Sequence, residues 1–346
     1  MPSLKEMEAN DPNPELEEIR RSLISTQRQL ARAKAGTADQ IEAIYRATRD
    51  AWEVERSFPP TPRPQKDNRR KHEEPALWHV TDLQGGKLTQ GYNREIMRRR
   101  LFQYIAKAKL ITEIQRTDHP VRSATILLGG DMVEGLFNFP TQPFEIDATL
   151  FEQWASVSRL LTEATRLALG IYEQVTVIAE WGNHGRIGTR RSAVPRSDNL
   201  DRMCYETARM MLANEKRLTW ADCPEDIQQV EVGNYRAILL HGDEFGRNGY
   251  VSASTLATKI TQLKSGAFRV GGHRWDFRDA YVGHYHIHDE RALPDGEGAV
   301  YWTGSTESEN RYARDSLASA GLPTQRLHFI DPEKGRVTSQ HKIWLD

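Results

Sequence analysis

The sequence predicts a layered α/β domain that closes in antiparallel strands and is preceded by a helical extension. Three observations carry this. Short apolar runs alternate with longer helical patterns between residues 75 and 286. After residue 298 the pattern turns to strand-like runs joined by turns. Ahead of both, a proline-rich charged stretch sets a leucine-patterned arm apart from the rest.

The arm, residues 1–57, reads as helix from about residue 14. Leu16, Leu23 and Leu30 recur every seven positions, with Ile19 and Ala33 in the apolar register between them. Gly36 breaks the pattern, and Thr37 with Gln40 offers a capping box for a second helix through Ile41, Ile44 and Trp52. Seams this thin need something to pack against. That leaves either a layer on the main domain or a surface for a homodimer or protein partner. Residues 58–72 read as a linker, because Pro59, Pro60, Pro62 and Pro64 exclude continued helix. The main domain is expected over residues 73–346.

Within it, "PALWHVTDL" precedes a helix expected near 92–110, and "SATILLGGD" one near 145–168. "EQVTVIAEWGN" precedes a helix near 198–215, "YRAILLHGD" one near 252–265, and "AYVGHYH" is the last of these strands. "GAVYWTGS", "TQRLHFIDPEKG" and "VTSQHKIWL" then predict the closing strands, with "DPEKG" as a hairpin turn.

Composition narrows the function classes. A formal charge of −1 over 346 residues excludes the global basic field of a protein that coats nucleic acid, while leaving room for local patches. Cys204 and Cys223 are the only cysteines, too few for a disulfide framework or a zinc knuckle. The acidic, polar N-terminus has no apolar export segment and no run approaches the length of a membrane span, so a cytoplasmic protein is expected.

The apolar runs share one feature: each closes on a side chain that can hold a cation. They end in Asp82 with Gln84, in Asp131, in Asn183 with His184, in His241 with Asp243, and in His284 with His286. The leading residues stand 49, 52, 58 and 43 positions apart, room each time for a helix and a return to the next strand. In an α/β sheet such residues gather at the carboxyl ends of the strands. A lone Asp after a strand is usually a helix cap, and a lone histidine usually packs. Five in succession point to a metal site.

In this order the motifs D-x-Q, G-D, G-N-H, H-G-D and G-H-x-H resemble the calcineurin-like metallophosphoesterase family, whose first motif is usually D-x-H. "GNHGR" and "TGSTESENRYAR" are most similar to phage-encoded members related to the Mre11/SbcD nucleases. The resemblance spans about residues 75–346. It implies a four-layer sandwich, two central mixed β-sheets flanked by helices, with residues 1–72 as an N-terminal extension. It also implies two divalent cations, Mn²⁺ first, with Mg²⁺ admissible and iron or zinc less favoured. By the same resemblance Asp131 bridges the two. Asp82 and His286 hold one, with Gln84 at the usual histidine position as a weaker oxygen ligand or a neighbour of the metal. Asn183, His241 and His284 hold the other. His184 stands at the phosphate or leaving oxygen, assisting a metal-activated water, with Asp243 supporting it.

The reaction implied is phosphodiester hydrolysis, with DNA as substrate in a nuclease of Mre11/SbcD-like type. Arg186, Arg190, Arg191 and Arg196 follow the G-N-H motif with no acidic residue between Trp181 and Ser197, as phosphate or DNA contacts would. Arg94, Arg98, Arg99 and Arg100 form a second basic run, and Trp275 and Phe277 either stack on a base or pack. The alternative is a phosphatase or phosphodiesterase acting on a small-molecule or protein-bound phosphate ester. A third reading is an interaction module whose metals are structural. Only 60 residues follow His286, so a partner ATPase of the SbcC/Rad50 type is not expected. His273 and His288 are expected beside the ligand set or on the surface.

Overall fold

The computed structural model describes residues 60–136, 142–188, 195–222, 226–245, 251–272, 274–308 and 322–346. The expected helical arm, with its Leu16–Leu30 register and Thr37 cap, lies outside these residues. The described residues belong to one unit, Glu55–Asp346.

Two mixed β-sheets lie at the centre, with helices on their outer sides. The first sheet has six strands in the order β11-β10-β1-β2-β3-β4. Its parallel half is β1 (Ala76–Val80), β2 (Ser123–Leu128), β3 (Gln174–Ala179) and the short β4 (Leu218–Trp220). β10 (Thr324–Asp331) and β11 (Arg336–Trp344) complete it as the antiparallel hairpin that "DPEKG" predicts. The second sheet runs β5-β6-β7-β9-β8. Its strands are β5 (Gln228–Val232), β6 (Tyr235–Leu240), β7 (Asp279–Val282), β8 (Asp289–Ala292) and β9 (Ala299–Trp302). β6, β7 and β9 run parallel, and the edges β5 and β8 antiparallel.

Alternation along the strands builds the layers. On β1, Leu77 faces the second sheet, where it joins Leu127, Ile178, Leu239, Tyr281 and Ile330 in one buried cluster. Trp78, one position on, faces outward and meets the rings of Tyr104 and Tyr172 edge-on at 5.4 and 5.7 Å. Tyr104 belongs to α1 (Arg94–Gln115), and Tyr172 caps α2 (Leu150–Ile171). On the far side, Leu240, Val282 and Trp302 pack against Leu256, Ile260 and Leu263 of α4 (Ala253–Ser265). Each such side chain stabilises the fold by roughly 1.5–3 kcal/mol. Trp275 and Phe277 are buried in this cluster, so they pack and are not offered to a base. No helix among the described residues is long and apolar enough to cross a membrane.

Helix starts follow local chemistry. α2 begins at Leu150, later than expected, because Thr149 and Glu152 form a reciprocal capping box there. Asn93, Asn199 and Ser252 cap α1, α3 (Leu200–Met211) and α4, each accepting a backbone N–H. Gly266 ends α4 in the left-handed conformation at φ 76°.

Candidate metal centre

β1, β2 and β3 are parallel neighbours in one sheet, and β6 and β7 in the other, so the loops after all five leave at matching ends. Those loops carry the expected residues. Beyond the strands, the first two loops go on pairing: Asp82 N donates to Gly130 O at 3.0 Å, and Gln84 N to Asp131 O at 2.9 Å. Across the sheets, His241 Nε2 comes within 3.0 Å of Asp131 Oδ2, and His286 Nε2 within 3.3 Å of Asp82 Oδ1. His284 N donates to Asp82 Oδ2 at 3.0 Å.

The backbone at this meeting point is unusual. Among the described residues the non-glycine positions with positive φ are Asp82 (53°), Gln84 (50°), Asp131 (52°), His284 (65°) and His286 (54°). Each costs of order 1–3 kcal/mol, and such residues persist only where their surroundings over-determine them. Here every one is a motif residue at a strand end. Glycine is required where loops touch: a Cβ on Gly182 would overlap Asp131 Oδ1, and one on Gly283 would overlap the Asp82 carboxylate.

Asp131, His241 and His284 place ligand atoms within 4.8 Å of one another, a cluster that can hold a metal ion. Burial opposes charge on Asp131, but His241 and His184 beside it hold its carboxyl far below the usual range. His241 is tied at the other ring nitrogen: Nδ1 donates to Gly129 O at 2.8 Å, which leaves Nε2 to face Asp131. Burial works against charging His241, yet Asp131 raises its pKa well above the usual value. Desolvation of its half-buried ring, and His241 next to it, push His284 down to about 4. Imidazole and carboxylate together suit borderline divalent ions.

A second group adjoins it. His286 lies between Asp82 on Nε2 and Glu307 on Nδ1, the latter at 3.4 Å. Burial opposes its charge, but the Asp82 hydrogen bond raises its pKa. Gln84 Oε1 is buried with no hydrogen-bond partner among the described residues. A buried acceptor facing no donor is costly, and a cation would satisfy it. The donors therefore fit a metal here too. Asn183, also buried, sits between Gly182, packed on Asp131, and His184, whose backbone N–H donates to Asp131 Oδ1 at 2.7 Å.

His184 is held on one side by Glu134, with Nδ1 at 3.0 Å from its carbonyl and 3.2 Å from Oε2. Its Nε2 points toward Asp131 Oδ2, 3.9 Å away. Burial disfavours the imidazolium, but Asp131 and Glu134 outweigh it and lift the pKa to about 9. Glu134 in turn receives buried Lys87 at 3.2 Å, and Lys87 also meets Glu145 at 2.8 Å.

Some expected roles fall elsewhere. For Asp243, expected to support His184, the contacts seen are to two arginines. It is drawn to Arg186 at 2.5 Å and Arg196 at 2.8 Å, two guanidiniums that lower its pKa against the opposing effect of burial. Arg196 also meets Glu244 at 3.2 Å, and Glu244 accepts the backbone N–H groups of His241 and Gly242. Both arginines thus brace the His241 loop. Arg190, Arg191, His273 and Cys223 lie outside the described residues. In the other basic run Arg94 pairs with Asp147, Arg98 with Glu163, and buried Arg100 donates to Thr306 O. Burial, with Arg326 and Lys342 nearby, pushes His288 down to about 3. Cys204 is buried in the packing of α3. Lys87 and Glu307 were not singled out from the sequence: each gains its role from a residue at least 21 positions away.

No family model matches the chain, and no curated protein does. Among solved structures, Vps29 of Entamoeba histolytica, crystallised with zinc, is similar at 11% identity and a TM-score of 0.34, over 78% of this chain and 99% of that one. The sulfate thiohydrolase SoxB of Termus thermophilus is similar at 10% identity and a TM-score of 0.36, over 81% of this chain and 58% of that one. A putative 5'-nucleotidase of Staphylococcus aureus is similar at 11% identity and a TM-score of 0.34, over 79% and 54%. Likenesses this loose say nothing of what the present chain acts on.

Proposed function

We propose that the chain is a metal-dependent phosphoester hydrolase with a two-cation centre. One observation carries the reading. Five strained, left-handed, non-glycine residues from both sheets, Asp131 among them, meet in one place, and all are cation-binding types. Asp131, His241, His284 and Asn183 would hold one ion, and Asp82, His286 and Gln84 the other, with Asp131 shared. The motif order, which resembles that of the calcineurin-like metallophosphoesterases, supports the same assignment.

Bound divalent cations supply neutralisation of phosphate charge and Lewis-acid activation of water. The chain's own residues do the rest. Gly129 O fixes the tautomer of His241, and Glu307 orients His286 from behind. Glu134 holds Nδ1 of His184, so that Nε2 faces the crevice, where it would steady charge on, or pass a proton to, a departing oxygen. Lys87 keeps Glu134 in place.

For substrate, the engagement of Arg186 and Arg196 with Asp243 favours a small-molecule or protein-bound phosphate ester over DNA. The nuclease of Mre11/SbcD-like type is the finer rival, and Arg190 and Arg191 are its remaining basic residues in that loop.

A Mn²⁺-dependent assay on an aryl phosphodiester, an aryl phosphomonoester, and linear and circular DNA tests both, with wild type beside Asp131→Asn. Aryl ester turnover that vanishes in the variant is expected. Cleavage of circular single strands by wild type alone would instead establish an endonuclease. Turnover of neither class, in protein that retains its metal, would leave a structural metal module.

A further inference from the structure

One buried carboxylate outside the metal motifs accepts four backbone N–H groups. Asp201 is the second residue of α3 and is fully buried. Its Oδ2 accepts Asp131 N at 2.8 Å and Gly182 N at 2.9 Å. Its Oδ1 accepts Met132 N at 3.0 Å and Val133 N at 3.2 Å. An ionised carboxylate has about four acceptor sites. All four are taken by backbone N–H groups, from two loops that leave different strands.

Asn199 extends the contact. Its Nδ2 donates to Gly182 O at 2.8 Å, and its Oδ1 accepts Asp201 N at 2.8 Å. Leu200 N donates to Gly185 O at 2.7 Å. Residues 199–201 therefore grip the stretch that holds Asn183 and His184 on both sides. They hold the start of the Asp131 loop at the same point.

We propose that Asp201 is a positioning residue of the metal centre. It keeps Asp131 in its left-handed conformation, φ 52°, and sets the register of the Asp131 loop against the Asn183 loop. Without it, Asp131, Met132 and Val133 would present three inward-facing N–H groups with no acceptor, and the strained residue would relax toward ordinary φ. Helix α3 is the anchor: a carboxylate in its first turn is favoured by the helix dipole, so the brace is tied to a rigid element. The proposal rests on the reading of Asp131 as a metal ligand.

Asp201→Asn is the informative variant, because it keeps the shape and replaces one acceptor oxygen by an NH₂ that faces N–H donors. Cys204→Ala is its control. Cys204 is buried on the same helix, with its thiol 3.8 Å from Trp154 O. Mn²⁺ affinity, the Mn²⁺ EPR spectrum and melting temperature would be measured on all three proteins. Amide exchange over residues 131–133 and 182 would be followed in the metal-free forms. Asp201→Asn should lose roughly 10- to 100-fold in Mn²⁺ affinity, the range for residues that orient ligands, with a changed EPR spectrum. Its 131–133 and 182 amides should exchange faster even without metal. Cys204→Ala should melt lower yet bind Mn²⁺ within a factor of about two of wild type.

Wild-type affinity in Asp201→Asn would overturn the proposal. So would a Cys204→Ala loss of affinity equal to that of Asp201→Asn at the same drop in melting temperature, or unchanged exchange at residues 131–133. If wild type takes up no Mn²⁺, the metal-centre reading fails, and the exchange result alone then decides whether Asp201 is the brace.

Discussion

Among the described residues two groups of histidines sit largely away from solvent, and the charge that faces them differs. In the crevice, His184, His241 and His286 face the carboxylates of Asp131, Glu134, Asp82 and Glu307. Between the sheets, His79 and His328 face hydroxyls and a cation. His79 Nδ1 meets Thr303 Oγ1 at 2.7 Å, and His328 Nδ1 meets Tyr281 Oη at 2.9 Å. Arg326 lies 3.2 Å from His328 Nε2, so that nitrogen accepts and the ring is neutral. Burial, with Arg326 adding to it, pushes both inner histidines well below their usual pKa. The carboxylates instead lift three of the crevice histidines above it. The backbone sets two of the crevice histidines apart as well. His284 and His286 are left-handed, whereas His79 and His328 sit in regular strands.

Burial, then, does not mark a ligand histidine. Facing carboxylates set His184, His241 and His286 apart, and a left-handed backbone sets His284 and His286 apart.

Substitutions can break this contrast, and the largest effect belongs at the shared carboxylate. Asp131→Asn should lower aryl ester turnover by more than the roughly 100-fold typical of a residue that only supports a ligand. Elemental analysis should show metal lost with it, and full metal content at wild-type rate would end the proposed centre. His184→Ala comes next. It should keep its metal and lose about 10²–10⁴-fold in kcat, as a lost proton-transfer group does. A near-native rate would remove His184 from the chemistry.

Glu307→Gln sharpens the contrast, since it takes the carboxylate from behind His286 and leaves the shape. Metal affinity should fall about 10- to 100-fold, read by titration with Mn²⁺. Unchanged affinity would make Glu307 a bystander.

The inner group should show its effect in stability rather than turnover. His79 and His328 are neutral when folded and have depressed pKa values. Between those values and the unfolded value of about 6.5, the unfolded chain binds more protons. Their contribution is therefore present above about pH 6.5 and is lost as pH falls below it, by up to ~1.4 kcal/mol per pH unit for each histidine. Denaturant unfolding at pH 7.5 and 5.5 should show a smaller difference for His328→Gln than for wild type. Turnover of that variant at pH 7.5 should match wild type within a factor of about two. An equal pH difference, or a large loss of turnover, would place His328 with the crevice group.

Elements with their own pattern were legible. α4 starts and ends within a residue of its expected bounds because Ser252 and Gly266 mark it locally. The other helices keep their places but shift at the ends. α1 runs to Gln115 because no breaker stands after residue 110. β8 was not legible at all: "DERA" is exposed along its length and has no apolar alternation. It is a strand because β9 supplies its hydrogen bonds. β5 is found the same way, turned back onto β6 by Gly233 at φ 60°.

At the site, sequence by itself determined which residue types close each strand, since an apolar run that ends in Asp, Asn or His at a glycine is a local signal. Tertiary structure decided their partners. That Asp243 takes two arginines while Glu134 takes His184 depends on how loops from two sheets meet. So does the choice of Lys87 and Glu307, which carry no local mark. Charge pairing acts over a few ångströms in space, and no pattern along the chain encodes which loops will come that close.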